Sequence, residues 1–415
     1  MTAARIVRLA MVVALSVPVS SPAAPDPPEA PVLRPAAAPE VVGPSPQPRR
    51  TARCAAPRGS PTADRTNSDV AGRLDLTDVH TLATGRGQRV AVIDTGVARH
   101  PRLAGRLVGL GDLLAGGDGL DDCDGHGTAV AGLIAAAADP GDDLVGVAPD
   151  AQILALRQFS PTVAGGAGHP AGDLPSLAAA LLRAVRGGAT VVNISGAVCV
   201  PVAQATAVGA PLRAALDTAA RADVVVVAAA GNADGGGCAA DDPAQVSLPG
   251  WFGDDLITVG AVGPDDRPAA FTVLGPWVDV GAPGTDIGAL TVDGGAGARL
   301  DGTSFAAPLV TGLAALVRER LPGLTAREVA DRIAATARRP AAGRDDAVGY
   351  GVVDPVAALT AEPAVLHPDA RADRSATAAL GRSTPTPASA DWPVVALAPL
   401  LVAAAAALRP GRRRP

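Results

Sequence analysis

Apolar runs of two kinds alternate between about residues 65 and 360. The first kind is short and apolar at consecutive positions, as in "QRVAVIDTGV", "AQILALRQF", "ATVVNISG" and "DVVVVAAAGN". A run without polar alternation predicts a strand buried on both faces. "LITVGAV" and "WVDVGAPG" predict further short strands. The second kind is longer and rich in Ala and Leu. "GTAVAGLIAAAA", "LPSLAAALLRAVRGG", "APLRAALDTAARA", "SFAAPLVTGLAALVRERL" and "TAREVADRIAATA" predict helices. Strands and helices in alternation imply βαβ units. The expected fold is α/β, a three-layer sandwich whose mostly parallel central sheet has helices on both faces. No internal repeat is visible. Ligands of such a sheet bind beyond the carboxyl ends of its strands. Candidate chemistry should therefore follow a strand or open a helix.

Both ends break this pattern. Arg5 and Arg8 precede an apolar run from about Leu9 to Val19, and the small residues Ser21, Ala23 and Ala24 follow. That is the pattern of a secretory signal peptide, over residues 1–24. Residues 25–64 form a Pro/Ala-rich extension, and 363–391 a similar stalk. Trp392 to Leu408 is uncharged over about 17 residues, near the lower limit for a membrane helix. Trp392 suits the outer interface, and Arg409, Arg412, Arg413 and Arg414 suit a cytoplasmic tail over 409–415. The expected arrangement is one large domain over 65–362, outside the cell membrane and held by one C-terminal transmembrane helix.

Composition narrows the function. The 415-residue chain is 48% hydrophobic but only 2% aromatic, so its core is aliphatic. A net charge of −6 leaves no basic stripe for nucleic acid. The even cysteine set, Cys54, Cys123, Cys199 and Cys238, suits two disulfides in an exported chain. Four cysteines allow three connectivities. No Cys-x-x-Cys spacing or neighbouring His pair supports a metal site, and no cofactor is expected.

Four residues meet the positional expectation. Asp94 ends the strand "RVAVI". A carboxylate there can accept from a histidine N–H and set its tautomer. Asp-Thr-Gly also marks aspartic proteases, but a second such motif is missing. His126, flanked by Gly125 and Gly127 in "DCDGHGTAVAG", opens a helix. It could be a base or a helix cap. Asp121, Asp122 and Asp124 beside it read as a solvated acidic loop. Ser304, in "DGTSFAAP", also opens a helix, where it could cap or attack. A helix start presents free N–H groups and a positive dipole end to a developing oxyanion. Pro308 soon after costs a helical hydrogen bond unless it lies in the first turn. Asn232 closes "VVVVAAAGN", where its amide could donate to an oxyanion or simply form a turn. The order Asp, His, Ser separates this layout from those of chymotrypsin and the α/β-hydrolases.

With these residues in place, the chain resembles the subtilisin-like serine proteases, the subtilases. "VIDTGV", "GHGTAVAG", "AAAGN" and "GTSFAAPLVTG" are similar to that family's Asp, His, Asn and Ser motifs, over about residues 70–360. The resemblance implies a seven-stranded parallel sheet. It also implies a Ser304 nucleophile, a His126 base, an Asp94 orienter and Asn232 in an oxyanion hole. It further implies that substrate backbone runs along the segment after "VVNIS", at Ser195 and Gly196. A narrower resemblance is to the mycosins, membrane-anchored subtilases of actinobacterial type VII secretion. It rests on the signal pattern, the Pro-rich extension, "DCDGHGT", "AAAGN" with a cysteine soon after, and the stalk before one span. It implies disulfides Cys54–Cys123 and Cys199–Cys238, a wrapping rather than inhibitory extension, and no structural calcium. The expected partners are a protein or peptide substrate and a type VII secretion membrane complex. The expected activity is serine endopeptidase. The alternative is a structural component of the secretion complex, with proteolysis secondary.

Overall fold

Valine, isoleucine and alanine at consecutive positions put apolar side chains on both faces of a strand. The computed structural model describes residues 68–362, except 165–169, 234–236, 254 and 342. The expected signal peptide, extension, stalk, span and tail lie outside those residues, as does Cys54. Among the described residues no helix is long and apolar enough to cross a membrane.

The first part of the chain forms α1 (Ser68–Arg73), α2 (Leu76–Leu82), β1 (Arg89–Asp94), β2 (Leu107–Asp112), α3 (His126–Ala135) and β3 (Gln152–Arg157). The middle forms β4 (Ser160–Ala164), β5 (Pro170–Ala171), α4 (Leu174–Arg186), β6 (Val191–Ile194), β7 (Val198–Pro201), α5 (Val202–Val208), α6 (Ala210–Arg221) and β8 (Val225–Ala229). The last part forms β9 (Gln245–Leu248), β10 (Ile257–Val262), β11 (Val280–Pro283), β12 (Ile287–Leu290), β13 (Ala296–Leu300), α7 (Thr303–Arg320), α8 (Ala326–Thr336) and α9 (Pro355–Thr360).

Seven strands make one sheet in the order β11-β10-β8-β6-β1-β3-β2. Every neighbouring pair is parallel. The chain fills one side of β1 first, with β2 and β3, and then the other, with β6, β8, β10 and β11. The carboxyl end of β1 thus lies where the winding reverses, the usual place for a crevice.

The two faces hold separate cores. Val90 and Val92 of β1 join one, with Leu309, Val310 and Leu313 of α7 and Val130 and Ile134 of α3. Ala91 and Ile93 join the other, with Leu177 and Leu181 of α4 and Leu212 and Leu216 of α6. Burying a Val, Leu or Ile contributes about 1.5–3 kcal/mol. That offsets the ~1–2 kcal/mol of backbone order each residue loses. Helix starts are capped by side chains: Asp173 with Ser176 at α4, and Thr325 with Glu328 at α8.

The structure adds elements that the apolar pattern does not announce. Strand β2, "LVGLGD", is an edge strand, half exposed and carrying two glycines. The antiparallel pairs β4–β5, β7–β9 and β12–β13 lie outside the main sheet. Strands β7 and β9 are short and distant in sequence, and only their pairing makes them strands. Cys199 on β7 forms a disulfide with Cys238.

Candidate active site

Strand β1 delivers Asp94 to its carboxyl end, and α3 begins at His126. Two glycines make the approach possible. Gly125 caps α3 with φ 80°, a left-handed conformation that glycine adopts at little cost. A Cβ on Gly127 would lie 1.9 Å from the Gly96 carbonyl oxygen. The start of α3 can therefore touch the loop after β1 only because that side chain is missing. His126 Nδ1 then meets Asp94 Oδ1 at 2.7 Å. Oδ1 also accepts the Thr95 backbone N–H at 2.7 Å. An ionised carboxylate only accepts, so Nδ1 carries the proton and Nε2 is free to act as a base.

Asp94 is 5% exposed, whereas the His126 side chain is 33% exposed. Burial lowers the pKa of the ring. The charge and hydrogen bond of Asp94, together with the charges of Asp122 and Asp124, raise it by more. The net shift is upward from the ordinary histidine value of about 6.5.

Ser304 is the second residue of α7, among the helix N–H groups that lack intrahelical partners. Its neighbour Phe305 places a ring 4.9 Å from the His126 ring, centroid to centroid. Ser304 Oγ donates to the Ser195 carbonyl at 3.1 Å, and no bond to the imidazole occurs among the described hydrogen bonds. Proton transfer to Nε2 requires the hydroxyl to leave that carbonyl. Catalytic hydrogen bonds of this kind often tighten only when substrate is bound.

Pro308 lies inside α7, beyond its first turn. It has no N–H for the carbonyl four residues earlier, which is that of Ser304. Ser195 Oγ supplies the donor instead, at 3.4 Å. Ser195 Oγ in turn accepts from Asn193 Nδ2 at 2.8 Å. The Ser195 side chain therefore supports the Ser304 backbone. Gly196 beside it is exposed, and a Cβ built there meets nothing within 4 Å.

Asn232 follows β8. Its Oδ1 accepts the Thr303 N–H at 3.0 Å and the Thr303 hydroxyl at 2.9 Å. Thr303 Oγ1 accepts the Gly231 N–H at 3.2 Å. With Oδ1 occupied twice, Nδ2 is the atom left to donate. It lies over the start of α7, 3.2 Å from where a Gly302 Cβ would sit. A buried acid, a histidine, a serine at a helix start and an oriented amide thus converge at one end of the sheet. Such a set can abstract a proton, attack a carbonyl and stabilise the resulting oxyanion.

Comparison with known proteins agrees with this chemistry. Residues 85–351 match the model of the subtilase family. Mycosin-4 of Mycobacterium tuberculosis is 43% identical over 376 residues, 81% of this chain and 82% of that protein. The chain belongs to the subtilase family of serine peptidases, among the mycosins. The crystal structure of MycP1 from the ESX-1 type VII secretion system is similar with a TM-score of 0.69 and 37% identity, over 76% of this chain and 92% of that one. A chain of the periplasmic assembly from the ESX-5 inner membrane complex gives 0.69 and 35%, over 87% and 95%.

The acidic loop of this subtilase departs from the sequence expectation. Asp121 is exposed, but Asp122 is only 6% exposed. Asp122 Oδ1 accepts from Thr95 Oγ1 and the Gly125 N–H, each at 2.8 Å. Asp122 Oδ2 accepts from Thr128 Oγ1 at 2.6 Å and the Thr128 N–H at 2.8 Å. Asp124 accepts from Ser160 Oγ at 2.7 Å. Asp122 and Asp124 are therefore joined to the site and not merely solvated. Donors turn Asp122 inward, a fact that its own sequence neighbourhood does not reveal. Sequence reasoning also missed Thr95 and Thr128, and weighed Thr303 only as a helix cap. The signal was present: "DTG", "GHGT" and "GTS" each carry a threonine beside the singled-out residue. Cys123 is disulfide-bonded, and Cys54, the partner that the resemblance implies, lies outside the described residues. Among the described residues no cluster of His, Cys, Asp or Glu could hold a metal ion.

Proposed function

We propose that this subtilase is a membrane-anchored, extracytoplasmic endopeptidase associated with a type VII secretion complex. Ser304 Oγ attacks the scissile carbonyl of a protein substrate while His126 Nε2 takes its proton. Asp94 holds the ring and balances the imidazolium that forms. Asn232 Nδ2 and the Ser304 backbone N–H donate to the tetrahedral oxyanion. The imidazolium then protonates the leaving amine, and water releases the acyl-enzyme by the reverse route. Substrate backbone lies along Ser195 and Gly196, where the open space beside Gly196 leaves room. The observation that carries this reading is the 2.7 Å Asp94–His126 pair set beside the start of α7. The end patterns over 1–24 and 392–408 support export and anchoring, and a Cys54–Cys123 disulfide would suit that location.

The test is labelling of the full chain by a fluorophosphonate probe beside Ser304→Ala. Labelling that disappears in the variant supports an activated serine in an open cleft. Absence of labelling in a folded wild-type chain counts against the peptidase reading. A structural role is the second reading, favoured by the similarity to chains of the ESX-5 inner membrane complex. Secretion restored in a deletion strain by Ser304→Ala, as well as by wild type, would favour it.

A further inference from the structure

We propose that Asp122 is a positioning residue for His126, its carboxylate clamping the turn before α3 to the carboxyl end of β1. The inference rests on reading His126 as the base. Asp122 Oδ2 holds the Thr128 hydroxyl and N–H, and Oδ1 holds the Gly125 N–H, so His126 lies between anchored residues. Oδ1 also accepts from Thr95 Oγ1, one residue beyond Asp94. The same Thr95 oxygen accepts the Gly127 N–H at 2.9 Å. One carboxylate and one hydroxyl therefore join the residues on both sides of His126 to the residue after its hydrogen-bond partner.

A simple helix cap would need only the bonds to the start of α3. The link to Thr95 crosses to another element and sets where the ring sits against Asp94. The charge is also costly to keep. Burial pushes the Asp122 carboxyl up, and the hydrogen bonds from Thr128, Thr95 and Gly125 only oppose that rise. By linkage, an acid whose folded pKa is raised costs stability that accrues as pH rises from its unfolded pKa to its folded one and is fully present above that. Both Asp122 oxygens accept and neither donates, so the geometry calls for the carboxylate and not the neutral acid. The charged groups facing the ring are Asp94 from β1 and Asp122 and Asp124 from the loop before α3.

The experiment follows His126 in the full chain by carbon-13 NMR of labelled histidine, beside peptide hydrolysis. Asp122→Asn removes an anion from the ring's surroundings. The His126 pKa should fall by about half a unit to one unit. Misplacement of the base should lower kcat about 10- to 100-fold with KM little changed. Thr95→Val leaves the carboxylate but removes the cross-link, and should lower kcat in the same way. Thr95→Ser keeps the hydroxyl and should restore it. Thr95→Val and Thr95→Ser decide the matter if Asp122→Asn does not fold. A fall in Tm with an unmoved His126 titration and unchanged kcat would overturn the proposal, since a plain cap predicts that. Failure of the peptidase reading is separable: the folded wild-type chain would then take no fluorophosphonate label and hydrolyse no peptide, while the NMR titration would still report the clamp.

Discussion

A carboxylate, a ring and an amide each do one task here because a neighbour has removed their other options. Asn232 is the clearest case. Thr303 occupies Oδ1 through both its N–H and its hydroxyl, which leaves Nδ2 as the atom free to donate. Asn232→Ala should lower kcat by about 10²–10³, or ~2.7–4 kcal/mol, with little change in KM. Steady-state kinetics on a peptide substrate checks this. His126 sets the pH dependence. Its pKa is raised by Asp94 against the effect of burial, so the acid limb of kcat/KM should lie above about pH 6.5. The sign for stability is opposite. The charged ring stabilises the fold below pH 6.5, and this contribution is lost as pH rises through the folded pKa. The enzyme therefore gains activity over the window in which this group ceases to help stability. A limb at or below pH 6 would contradict the direction of the shift.

At the scale of elements, the site depends on how α3 and α7 meet the strands they follow. Helix α3 reaches the loop after β1 through Gly127. Gly127→Ala would press a methyl on the Gly96 carbonyl, 1.9 Å from the ideal Cβ position. Overpacking of this kind costs about 1–3 kcal/mol, and the displaced helix would carry His126 from Asp94. Urea unfolding should show that loss, and peptide hydrolysis should fall about 100-fold at temperatures where the variant remains folded. Retained activity in the folded variant would mean that α3 can shift without moving the ring. Helix α7 shows the converse device. Pro308 removes one helical N–H, and Ser195 replaces it, so the break in the ladder becomes a tie between β6 and Ser304.

At the scale of the whole molecule, a parallel sheet with two aliphatic cores supplies the platform, and small ribbons finish it. The β7–β9 ribbon is pinned by Cys199–Cys238, across a sequence separation of 39. Replacing both cysteines by serine should cost about 2–4 kcal/mol, mostly by freeing the unfolded chain. Equilibrium urea denaturation of the two proteins measures it, with the catalytic pair left in place below the transition. An unchanged midpoint would show that the ribbon is held by its ladder alone. The central strands were legible because a buried parallel strand is apolar at consecutive positions, as Val90 to Ile93 are. The helices were legible because their Ala and Leu runs are long. Asp94, His126, Asn232 and Ser304 could be singled out because each stands at a strand end or a helix start, which is a local property. Other features depended on contact between distant segments. The Ser304 hydroxyl meets a carbonyl 109 residues away, and Asp122 accepts from a threonine 27 residues before it. Burial and hydrogen-bond partnership belong to the folded surroundings and not to the residue type. A loop of aspartates thus read as solvated, and only the tertiary structure joined Asp122 and Asp124 to the site.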